Sequence, residues 1–234
     1  MASDFEAGQP DQRIIIAAPP RCGTTLLASV LSNLGVRFGL EDRSWNIDSG
    51  YYEHPSLLKV YETMRKWHKL RAISDNASDY FFRQAVNRLR RLLVHVQAIK
   101  YPPLSSELPQ LVDLAGYRPL VVIVARRFQS YALSRMKKES VDWEACRRDY
   151  INIYNSSLVS LRNHGGVVVC YEDLFDDERN RWMHGLSGIV DYEHSRIEAV
   201  LDRLVSTSRN QPFPELADAE CDLVYGRLRE CRAG

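Results

Sequence analysis

The 234-residue chain has no run of 18 or more apolar residues, so no membrane-spanning helix is expected. It also lacks the basic-then-apolar opening of a secretion signal. Residues 1–12, MASDFEAGQPDQ, are polar, carry acids and read as a flexible tail. Cysteine is scarce: the five (22, 146, 170, 221 and 231) are scattered and odd in number, with no CxxC pair and no HxxxH spacing. That pattern argues against a disulfide framework, gives no reason to expect a metal site, and suits a reducing, cytoplasmic setting. An excess of one charge is missing too. Against 31 basic residues stand 30 acidic ones, for a net of +1, so bulk electrostatics give no support for nucleic-acid binding. Any anion must be gripped locally. With no internal repeat and no low-complexity linker, residues 13–234 read as a single domain.

What the chain does have is alternation. Three short, continuous, β-branched runs stand out: RIIIAA (13–18), LVVIVA (120–125) and VVVCY (167–171), with a weaker fourth, VHVQAIK (94–100). Such runs suit parallel strands covered on both faces. Between them lie amphipathic helical patterns at 24–35 (closing on Gly35), 56–70, 79–94, 105–116 and 143–165, and the last third, from about 178, is helical in style. Strand alternating with helix predicts an α/β three-layer sandwich: a central parallel sheet of about four or five strands with helices on both faces. The least regular stretch is 39–55, and a long loop inside a compact domain is often functional.

The first strand leaves through AAPPRCGTT (17–25) into a helix. A strand, a glycine turn and a helix opening on two threonines make a phosphate-loop-like corner. Unpaired N–H groups and the helix dipole meet an anion there, Gly23 lets backbone approach, Thr24 and Thr25 offer hydroxyls, and Arg21 adds a full charge. The nucleotide-hydrolase loop G-x-x-x-x-G-K-[ST] is not met: Ala18 stands at the first glycine and Thr24 at the lysine. Instead Pro20-Arg21-Cys22-Gly23-Thr24-Thr25-Leu26-Leu27 resembles the 5′-phosphosulfate loop of sulfotransferases, which use 3′-phosphoadenosine 5′-phosphosulfate (PAPS) and release the 3′,5′-bisphosphate PAP. Cys22 departs from that family's usual serine or threonine.

The resemblance has further parts. Arg126 and Ser134, eight residues apart after the strand at 120–125, match the family's 3′-phosphate pair, although Arg127-Phe128 replaces its usual [ND]-P. The run VVVCYEDL resembles the family's strand followed by [YE]-D-L, with Tyr171, Glu172 and Asp173 as framework. The stretch AIKYPP resembles its K-x-P element and implies Lys100 as a second cation beside Arg21. GYYEHP resembles a G-[YF]-x-E stretch and implies Glu53 as the base, with His54 next and Glu41 after it; His95 reads as structural. Arg209 falls where the family often has another phosphate-binding arginine. No G-x-x-G-x-x-K tail is found, so the likeness is to shorter bacterial members. It implies sulfuryl transfer without a metal to a small-molecule, glycan or lipid acceptor. Two other readings stay open: a P-loop nucleotide kinase, and a sulfotransferase-like binding protein without activity.

Overall fold

Alternate residues of a strand point to opposite faces, so three consecutive isoleucines need cover on both sides. The computed structural model of the chain describes residues 11–39, 52–175, 181–186, 190, 198, 199, 201, 202 and 218–232. In it Ile14, Ile15 and Ile16 are all fully buried within strand β1 (Gln12–Ala17). Ile14 and Ile16 join one core cluster and Ile15 joins another, so the sheet divides two apolar layers.

Four strands form one parallel sheet: β1, β2 (Ala98–Lys100), β3 (Arg118–Ala125) and β4 (Gly166–Cys170), in the order β2-β1-β3-β4. In register, Ile15 lies opposite Ile99 on one side and Val121 on the other. The layer around Ile14 and Ile16 takes residues from helices α1 (Thr24–Asn33), α5 (Phe128–Lys138), α6 (Trp143–His164) and α7 (Ala219–Glu230). The layer around Ile15 and Ile99 takes residues from α2 (Pro55–Leu70), α3 (Asp75–Leu93) and α4 (Leu108–Leu114). The expected α/β sandwich with a parallel sheet and helices on both faces is what forms.

Local chemistry sets the element ends. Asp142 accepts from the Ala145 N–H at 2.7 Å to start α6, and Asp218 accepts from the Cys221 N–H at 3.0 Å to start α7. Helix α1 closes with Gly35 N–H on the Ser32 carbonyl and Val36 N–H on the Leu31 carbonyl, so Gly35 is the stop that the sequence suggests. Pro109 sits in the first turn of α4, where its missing N–H costs nothing. The expected strand at 94–100 is shorter: α3 runs to Leu93, and only Ala98–Lys100 is strand. Val94 is 60% exposed while Val96 is buried, so the two valines that look like one strand face different surroundings. His95 therefore lies in the turn after α3, outside the strand.

Because all strands run parallel, their carboxyl ends share one edge. The chain leaves β1 toward β2 on one side and leaves β3 toward β4 on the other, so the strand order reverses between β1 and β3. In open α/β sheets that switch point, at the carboxyl ends, opens a crevice for a ligand.

Candidate functional site

The loop after β1 turns sharply. Arg21 has φ 68 and Gly23 φ 94, both left-handed; for arginine this is strained by about 1–2 kcal/mol. Gly23 is also set by space, since a Cβ there would lie 2.3 Å from the Tyr171 ring. Helix α1 then starts on Gly23 with no side-chain cap and no acid in its first turn. Its leading N–H groups thus have no capping side chain, and the helix dipole favours an anion there. Thr24 is buried, Thr25 half-buried and Arg21 exposed. One buried hydroxyl holds the loop's root: Ser105 Oγ donates to the Ala18 carbonyl at 3.1 Å and accepts from the Ala18 N–H at 3.3 Å.

Cys22 faces away from the edge. It is fully buried, its thiol is pushed up to about 12 by burial, and it lies in hydrogen-bonding contact with the Tyr154 hydroxyl. The thiol thus belongs to the core beneath the loop.

Arg126 follows β3 directly. Its Nη1 donates to the Arg21 carbonyl at 2.8 Å, and its guanidinium lies 4.5 Å from the centroid of the Tyr171 ring. Its Nε is buried without a hydrogen-bond partner. Two tyrosines of α6 fix the backbone beneath it: the Tyr154 hydroxyl accepts from Arg126 N–H at 3.2 Å and donates to the Val124 carbonyl at 2.7 Å, while the Tyr150 hydroxyl donates to the Arg126 carbonyl at 2.7 Å. Burial pushes both phenols well above their ordinary range, so they stay neutral donors. Ser134 is half-buried, two turns into α5. Arg127 is exposed, and its N–H is taken by Glu172 at 3.0 Å; the other oxygen of Glu172 accepts from the Tyr225 hydroxyl at 2.9 Å. Asp173 pairs with Arg232 at 3.1 Å. Glu172 and Asp173 thereby tie β4's exit to α5 and to the C-terminal helix.

On β1's other side, Lys100 ends β2 only 1% exposed, and its Nζ meets Glu53 Oε1 at 3.0 Å. Burial holds the Lys100 ammonium below its usual pKa, and the Glu53 charge opposes that shift. The Arg21 charge is also felt at Lys100, and pushes the same way as burial. Glu53 is 31% exposed and so reachable from solvent. His54 does another job: it caps α2, its Nδ1 accepting from the Ser56 N–H at 3.1 Å. A neutral ring in that bond keeps its proton on Nε2 and has no lone pair left for a proton in flight.

Arg21, Lys100, Glu53 and Arg126 thus meet at one edge. Glu41 and Arg209 lie outside the described residues. Sequence reading missed Ser105, Tyr150 and Tyr154. The two tyrosines carry a signal, being one helical turn apart on the stripe Cys146, Tyr150, Tyr154, Leu158, where polar-tipped aromatics stand on a buried face. Ser105 carries none, since its partner is 87 residues away.

No family model and no curated protein matches the chain. Solved structures do. The chain is similar to a sulfotransferase domain from the Synechococcus PCC 7002 olefin synthase, with 14% identity, 98% of each chain covered and a TM-score of 0.52. It is also similar to a sulfotransferase domain from the curacin biosynthetic pathway, with 13% identity, 95% of this chain and 99% of that one covered, and a TM-score of 0.50. At such identity the likeness is one of architecture, and the fold of this chain is sulfotransferase-like.

Proposed function

We propose that the protein is an enzyme that transfers a sulfuryl group from PAPS to a hydroxyl or amine of an acceptor. The observation that carries this reading is the Arg126 side chain. Its Nε is buried and unpartnered, while Nη1 ties it to the carbonyl of the anion loop itself. A buried donor without a partner is costly unless a ligand supplies one. In this reading one anionic group lies in the loop, and a second, as on a 3′,5′-substituted adenosine, meets Arg126.

In this reading the backbone N–H groups of Cys22, Gly23, Thr24 and Thr25, with the threonine hydroxyls and Arg21, hold the 5′ group. Arg126, with Ser134, holds the 3′-phosphate. Arg209 keeps its role by resemblance alone. In the reaction the acceptor oxygen or nitrogen forms a bond to sulfur as the bond from sulfur to the 5′-phosphate oxygen breaks. PAP leaves with the bonding pair, and the acceptor's proton goes to Glu53. Arg21 and Lys100 offset charge growing on the leaving oxygen, the work a metal does in many phosphoryl transfers. Glu53 suits the base better than His54, whose Nδ1 is engaged in the α2 cap. Protonating Glu53 also weakens its hold on Lys100 and frees that ammonium for the leaving group.

Ligand-linked thermal shifts test the reading. PAP is expected to raise Tm well beyond ADP or AMP. A larger shift from ATP with Mg²⁺ would favour the kinase and overturn the proposal; PAP binding without turnover on a broad acceptor panel would leave a binding protein.

A further inference from the structure

A second cationic feature lies outside the donor site. A cleft of about 630 Å³ opens between the start of α2 and the outer side of α3. Lys59, Arg88, Arg91, His54 and His95 line it, and no carboxylate does among the described residues. Arg88 and Arg91 belong to a stripe on α3 with Gln84 and Asn87, at helical spacing, so one helix face presents the group together. Lys59, Arg88 and Arg91 are exposed and take part in no ion pair among the described residues. In a chain of net charge +1, three cations and two histidines around one hollow are a local concentration. The α2 amino end, with His54 and Ser56 on the cleft wall, adds its dipole. Gly39 is part of the wall, and a Cβ there would meet Val96 Cγ1 at 2.7 Å and His54 Cδ2 at 3.4 Å.

The cleft adjoins the chemistry. His54 on its wall is the covalent neighbour of Glu53, whose carboxylate holds Lys100, and adjacent Cα atoms are about 3.8 Å apart. The segment that carries Glu53 therefore runs directly into the cleft wall. We propose that the cleft is an acceptor subsite for a phosphate group, so that the acceptor is a phosphorylated alcohol or amine. Two charges on a phosphate monoester answer three full cations better than the single charge of a sulfate ester or carboxylate, and guanidiniums grip such oxygens in pairs. The assignment to an acceptor rests on the sulfotransferase reading.

The test uses the full chain saturated with PAP, which occupies the donor site. Glucose 6-phosphate, ribose 5-phosphate and glycerol 3-phosphate are titrated calorimetrically beside glucose, ribose and glycerol. The phosphorylated members are expected to bind at least about tenfold more tightly than their parents. In the double variant Arg88→Ala/Arg91→Ala that ratio falls to near one, while PAP affinity is unchanged. Arg83→Ala, exposed on α3 but outside the cleft, keeps the wild-type ratio. Equal binding of esters and parents by wild type, or equal loss in the cleft and control variants, would overturn the cleft proposal with the donor reading intact. Failure of PAP to bind at all would overturn the donor reading and the acceptor assignment together.

Discussion

Lys100 and Arg126 stand one strand to either side of β1, at the same edge of the sheet, and meet burial differently. Lys100 is almost wholly enclosed and has its counterion, Glu53, at 3.0 Å. Arg126 has no carboxylate partner among the described residues: it has a carbonyl, an aromatic face and a buried nitrogen that bonds to nothing. One cation is paired within the protein; the other keeps a buried nitrogen without a hydrogen-bond partner. A charge already paired is poised for proton chemistry, and a charge left open is poised for binding. The backbone at Arg126 is held by two neutral tyrosines, whereas Lys100 carries an ion pair with Glu53.

Removing the partner of Lys100 gives the largest expected effect. Glu53→Gln should lower turnover by roughly 10²–10⁴-fold, with PAP affinity unchanged by calorimetry. Wild-type turnover would show that the pair is structural only. Next comes Gly23→Ala, which drives a methyl into the ring that supports Arg126. A loss of about 1–3 kcal/mol is expected in urea denaturation, together with weaker PAP binding. An unchanged midpoint would mean that Tyr171 moves freely and does not fix the arginine.

Lys100 itself makes a pH prediction. Its folded pKa lies below 10.5, so between that lowered value and 10.5 the unfolded chain binds more protons than the folded one. Stability owed to Lys100 therefore rises with pH through that window. Compared with Lys100→Met, wild type should gain stability in denaturant titrations as pH climbs toward 10.5. The raised phenols and thiols are common to both proteins and cancel in the difference. A difference that stays flat with pH would contradict the buried-ammonium account. The smallest effect is expected at Arg127→Ala: a change of about twofold or less in PAP affinity, because Arg127 is exposed and its fixed contact is a backbone N–H on Glu172. A loss as large as that at Arg126 would move the 3′ site by one residue.

Much of the sheet edge at the ends of β1 and β3 was legible because its signals are local. Three isoleucines in a row, a Gly-Thr-Thr corner and a β-branched run ending in arginine each carry their meaning within about ten residues. The pairing of Glu53 with Lys100 spans 47 residues, and sequence alone could name both without joining them. His54 looked like a base by chemistry and is a helix cap by position. Cys22 looked like a lost donor, and its thiol turns into the core against Tyr154. These facts depend on which way a side chain leaves a turn, and composition does not encode that. The cationic stripe on α3 was in plain view as helical spacing, but its facing partner, Lys59, belongs to another helix.

The central claim is that the open valence at Arg126 belongs to a 3′-phosphate. Titrating PAP and AMP into wild type and Arg126→Ala tests it in four measurements, since the two ligands differ by that phosphate alone. Wild type should prefer PAP by about 10- to 150-fold, the equivalent of about 1.5–3 kcal/mol for a charge-assisted contact, and the variant should bind both alike. A wild type indifferent between the two ligands, or a variant that keeps the preference, would contradict the account.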